Sequence, residues 1–262
     1  MIVSHPESLR SHGPDVLTGL PDTAFVRHLP LPGGAMLDVL VVAADTDDEV
    51  TATETMTRAW LTEAAGSVAV AGIPAPVVVP LYGCLVAWMP GRAAVVGPAA
   101  RLDQLESAVA TFSACEADLR DAEQRTATLL DALETDAAEA FTIDECSATR
   151  REGLAARYRE AVAVGRRLAL LAPAVHAPPV HPPTLASQLG ERLRERTRLA
   201  ERHELAVSQA ELAERVTESC GQRAADAGIA ARQTALEWAI VVLLVVQTAL
   251  LVVDLLARRG TP

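Results

Sequence analysis

Residues 236–259 read LEWAIVVLLVVQTALLVVDLLARR, and no other stretch constrains the chain as hard. From 238 to 256 the only polar side chains are Gln247, Thr248 and Asp254. At 1.5 Å per residue a helix of that length reaches roughly 28 Å, close to the hydrocarbon thickness of a bilayer. Trp238 stands at one end, where an indole favours the interface, and Arg258 and Arg259 stand at the other, where they reach head groups. Asp254 precedes Arg258 by four residues, so the two can pair and keep the carboxylate near the rim. A core helix of a soluble protein usually has a shorter apolar run. The stretch therefore reads as a single transmembrane helix over 236–257. Gln247 falls near mid-span, where an amide seeks a partner and favours helix–helix association.

Arg223 and Arg232 flank the near side of this span, so the positive-inside count against Arg258 and Arg259 is a tie. The opening MIVSHPESLRSHGPD has no basic segment leading into an apolar core and is not a signal peptide. The expected layout is tail-anchored and single-pass, with the N-terminal part in the cytoplasm.

Composition narrows the partners. The net charge is −11, and residues 1–100 hold 4 Arg against 10 acids. Phosphate recognition needs a basic face, so a nucleic-acid partner is excluded. There is no Lys, so every basic side chain apart from His is Arg, a bias that a GC-rich genome explains. Cys84, Cys115, Cys146 and Cys220 form no CxxC pair and read as buried reduced thiols.

Ahead of the span the chain divides by pattern. Residues 1–21 form an N-terminal extension. Residues 22–100 read as a small α+β domain. AMLDVLVVAA (35–44) is apolar and bounded by turn formers, which suits a buried strand, with AFVRHL (24–29) as its hairpin partner. Residues 48–65 carry Val50, Met56, Ala59, Trp60 and Ala64 at helical intervals. The runs SVAVAGI, PVVVPLYG, CLVAWMPG and RAAVVG predict strands in a meander, so a sheet with one covering helix is expected. Residues 101–172 read as a helical hairpin with heptad character, since apolar residues from Leu102 to Ala137 recur at spacings of three and four. APAVHAPPVHPP holds five prolines and predicts a polyproline-like linker over 173–183. Thr184 caps a stalk helix over 184–233, with Leu185, Leu189, Leu193, Leu199, Leu205 and Leu212 as its apolar contacts. The expected fold is an α+β head domain followed by long helices, hairpin and coiled-coil-like, and a single C-terminal transmembrane helix.

Candidate chemistry is sparse. The scattered glycines show neither GxGxxG nor Walker spacing and read as turns. His176 and His181 lie close together in the linker, but a closed metal site needs further ligands, so no metal is expected. ERLRERTRLAER (191–202) carries a net charge of +2 and reads as a self-paired helix surface. Asp47 or Asp48 reads as a helix cap, and Asp144 and Glu145 sit in a local charge run. No nucleophile-elbow or papain-like context surrounds any Ser, His or Cys. No catalytic residue and no cofactor is expected.

One resemblance adds to this. The helix around Arg198, Leu199, Glu204, Leu205, Glu211 and Leu212, followed by Leu236, Glu237 and Trp238 opening into an aliphatic span, resembles the C-terminus of the sporulation/meiotic-division family. Its mitochondrial inner-membrane members assemble into large homo-oligomers and support organellar translation. Members tend to carry an acidic residue partway along the span, where this chain has Gln247. The resemblance covers roughly residues 185–258. It implies an oligomeric, membrane-tethered scaffold and no catalytic residue.

Two functions follow as expectations. In the first, the chain is a tail-anchored scaffold or adaptor whose partners are the lipid bilayer, copies of itself and a further protein. In the second, it is a membrane-bound sensor or conflict-system component, with a ligand pocket lined by Trp60, Tyr82 and Trp88.

Overall fold

The computed structural model describes residues 23–31, 34–67, 75–140 and 148–259. The expected N-terminal extension (1–21), the strand expected at 68–73 and the acidic pair at 144–145 lie outside them.

Five strands form one mixed sheet: β1 (Phe25–Pro30), β2 (Met36–Ala43), β3 (Val77–Leu81), β4 (Cys84–Met89) and β5 (Arg92–Gly97), in the order β1-β2-β5-β4-β3. β1 pairs antiparallel with β2, as the sequence predicts. β3, β4 and β5 form the expected antiparallel meander. β2 and β5 run parallel. The turns follow from their residues. Tyr82 (φ 49) and Gly83 (φ 72) join β3 to β4 as the two left-handed positions of a tight hairpin. Gly91 (φ 80) follows Pro90 between β4 and β5, the Pro-Gly order that a type II turn demands.

Every residue of β4 is buried, as are five of the six in β5. A strand buried throughout is covered on both faces. Alternation along β4 puts Leu85, Ala87 and Met89 on one face, where they join Leu40, Val42, Ala94, Val96, Trp60 and Leu61 in a single apolar cluster. The cover on that side is α1 (Asp47–Ser67), the helix predicted at 48–65. Glu49 accepts from the backbone amides of Asp45 and Thr46, and Thr46 Oγ1 accepts from the Glu49 amide, a reciprocal cap at the helix start. The opposite face is covered by the start of α2 (Ala99–Ala140), which the sequence assigned to a separate hairpin. Trp88 donates its indole N–H to Ser113 Oγ at 2.9 Å and meets the Phe112 ring edge-on at 5.0 Å. Arg27 binds both carboxylate oxygens of Glu106 at 2.7 and 2.8 Å. The sheet thus has two covering helices, not one.

Three further helices follow: α3 (Ala148–Val175), α4 (Leu185–Arg196) and α5 (Leu199–Arg259). The expected stalk helix is broken in two. Thr184 does cap α4, in a box with Ser187. α4 ends at Arg196 with Thr197 as its C-cap, and Arg198 takes φ 50 before α5 begins. α4 packs beside β3, with Leu189 and Leu193 fully buried. The chain forms two compact units. The first contains residues up to Arg125 together with Arg166–Ser208, so the Pro-rich segment lies inside it. The second contains Thr126–Gly165 and Gln209–Pro262.

Among the described residues of α5 the buried ones are Leu199, His203, Ala206, Ala210, Ala213, Thr217 and Cys220, alternating strictly at intervals of four and three. That is the spacing of a helix seam that stays facing its neighbours. Leu205 and Leu212, expected as apolar contacts, are 59% and 50% exposed. Three of these seven residues are alanine. In the second unit Leu154 of α3 packs with Cys220 and Val216 of α5.

Candidate functional site: the C-terminal apolar helix

Arg232–Leu251 of α5 is a 20-residue helical stretch long and apolar enough to cross a membrane, and none of it is buried. The large apolar side chains from Leu236 to Leu251 are between 48% and 69% exposed. A core helix of the same composition would be mostly covered. Burying one such side chain stabilises by roughly 1.5–3 kcal/mol. Leaving the whole set in water costs on the order of 15–30 kcal/mol, comparable to or larger than the net stability of a domain.

The two polar residues between Trp238 and Leu251 differ. Thr248 donates its hydroxyl to the Leu244 carbonyl at 2.8 Å, so it is satisfied by its own helix. Gln247 makes no hydrogen bond to any described residue and is exposed. Trp238 is 64% exposed at the proximal end. Asp254, Arg258 and Arg259 fall on the last turns of α5. At the near end Gln233 and Glu237 sit one helical turn apart, 3.4 Å between amide and carboxylate.

The expected aromatic pocket does not form as drawn. Trp60 belongs to the cluster between α1 and the sheet, whereas Trp88 points to the opposite face toward α2. Tyr82 sits at a hairpin tip, 65% exposed. It borders a separate groove of about 320 Å³ with Asp47, Thr51 and Glu54. The three aromatics do not converge. β-strand alternation decides this, and the spacing of 60, 82 and 88 carried no such information.

Sequence reasoning missed two polar clusters. On the α1 face, neighbouring β-strands align His28, Asp38 and Arg92. His28 Nδ1 lies 2.7 Å from Asp38, and the Arg92 guanidinium stacks over Trp60 at 4.8 Å while donating to its carbonyl. The second cluster joins helices far apart in sequence. Arg202, read from the sequence as part of an exposed self-paired surface, instead donates to both oxygens of Glu123 at 2.9 and 2.6 Å. It also reaches Glu116, whose side chain is 2% exposed and which Arg120 pairs as well. The hydrogen bond that Arg202 donates to Glu123 leads the effects that hold Arg202 more firmly protonated than usual. Arg167 binds Asp118 and Asp121 at 2.6 and 2.5 Å. These are ties between helices, made by side chains 46 to 86 residues apart.

Burial, with Asp118 and Glu116 nearby, pushes the Cys115 thiol up, against a smaller opposing effect of Arg194. It is a poor nucleophile at neutral pH. Among the described residues no group of three or more His, Cys, Asp or Glu side chains is placed to hold a metal ion.

No family model matches the chain, and neither a curated protein nor a solved structure is similar to it.

Proposed function

We propose that the protein is a membrane-anchored scaffold or adaptor. The distal half of α5 crosses the bilayer, the sheet-containing unit faces the cytoplasm, and copies associate through the span and the helices before it. The observation that carries this is the complete exposure of Arg232–Leu251. A helix that is apolar all round and covered by nothing is matched to lipid.

Gln247 supports self-association. Among the described residues its amide has no partner, and an amide in hydrocarbon gains by bonding to a second helix. Several copies held together would present several heads, so weak contacts to a partner would act together. The resemblance to the sporulation/meiotic-division family points the same way. It rests on the helix-then-span layout, although Leu205 and Leu212, two of its residues, are exposed. The sensor reading loses the aromatic pocket that motivated it.

The test is the size of the detergent-solubilised full chain by light scattering. The proposal expects a particle larger than a monomer, and a shift toward monomer in Gln247→Leu with membrane association kept. A monomer at all concentrations would remove self-association from the account.

A further inference from the structure

His203 lies in the α5 seam, 4% exposed. Its Nε2 is 2.9 Å from the Leu168 carbonyl oxygen. A carbonyl only accepts, so Nε2 carries the proton and Nδ1 of the neutral ring carries a lone pair. Nδ1 is buried and has no hydrogen-bond partner. A buried acceptor left unmatched costs roughly 1–3 kcal/mol, so the position calls for an occupant. The His176 ring is its neighbour, with centroids 5.3 Å apart and planes at 78°. His176 itself is exposed.

We propose that His203 Nδ1 and a ring nitrogen of His176 together bind a late first-row divalent cation of the Zn²⁺ class. Three observations converge. Metal-ligating histidines almost always donate their other N–H to a carboxylate, backbone carbonyl or water, which fixes tautomer and ring orientation. His203 already has that bond to Leu168. With metal–nitrogen bonds of about 2.0–2.1 Å at a tetrahedral centre, two imidazole centroids stand about 5 Å apart, which matches the observed spacing. Finally, one ligand is buried and preorganised while the other is exposed at its edge.

Among the described residues two donors are present, so water would complete the coordination. Imidazole ligands select zinc, copper and nickel over magnesium and calcium. Bound metal would pin the segment after α3 to the start of α5. Sequence spacing gave no sign of this pair. The histidines that look paired in the chain are 176 and 181, whereas the fold brings together 176 and 203.

The test is Zn²⁺ titration of the metal-stripped full chain in detergent, against a chromophoric chelator. It is joined by the absorption spectrum of the Co²⁺ form. The wild type is expected to bind one equivalent, and Co²⁺ to give bands of a low-symmetry site with nitrogen ligands. His176→Ala, at an exposed position, is expected to weaken binding by more than the roughly 10–100-fold that losing an outer-shell partner costs. His181→Ala is expected to bind as the wild type does. Long-range proton–nitrogen NMR of the imidazoles covers the case in which His203→Gln fails to fold: Zn²⁺ should shift His203 Nδ1 and leave Nε2 protonated. Absence of stoichiometric binding, or binding unchanged in His176→Ala, would overturn the site.

Discussion

The two halves of α5 are one helix under two rules. From Leu199 to Cys220 the buried positions are mainly small or polar: Ala206, Ala210, Ala213, His203 and Thr217. The leucines beside them, Leu205 and Leu212, face outward. From Arg232 to Leu251 large aliphatic side chains are exposed in every direction. In the first half, position on the seam decides which residue is buried, and alanine is covered where leucine is not. In the second half, no protein surface competes for the side chains. Hydrophobicity alone therefore misidentifies the contact residues of the first half, whereas in the second it marks a stretch long and apolar enough to cross a membrane.

The sharpest way to break the contrast is a charge in the distal half. Leu244→Arg is expected to lower membrane insertion by about 3–4 kcal/mol while leaving the melting of the remaining protein unchanged. Carbonate extraction and thermal denaturation read the two effects separately. Next in size is Ala213→Leu, at a fully buried seam position. Overpacking there is expected to cost about 1–3 kcal/mol, seen as a lower denaturant midpoint. Equal stability would mean that the seam is loose. The reverse change, Leu212→Ala, is expected to stay within about 0.5 kcal/mol because the side chain is half exposed. A larger loss would show that this leucine has a partner, which the self-association proposal would then claim. The smallest effect concerns chemistry. Cys115, with its thiol pushed up by burial and flanking carboxylates, should alkylate more slowly than a free thiol at neutral pH and gain on it as pH rises.

Much of the first unit was legible. β1 and β2, α1 and the three-strand meander follow from period-two and period-three-to-four patterns punctuated by Gly and Pro. The role of α2 was not. Its contacts to the sheet run through Ser113, Phe112 and Glu106, and two of these three are polar residues that an apolar repeat does not mark. The break between α4 and α5 was hidden too, because Thr197 and Arg198 carry no Gly or Pro signal. Ties such as Arg202 to Glu116 and Glu123 depend on helices meeting after about 80 residues of chain, and no local rule reaches that far. The apolar helix was visible from composition alone, since its only requirement is length and hydrophobicity.

The central claim is that the distal half of α5 belongs in lipid. Flotation of the full chain on liposomes, beside a chain ending at residue 231, tests it most directly. The account predicts that the full chain floats and resists carbonate, while the shortened chain stays at the bottom, folded and soluble. If the full chain remains soluble and monomeric without detergent, the exposed aliphatic surface is covered by protein, and the membrane reading is wrong.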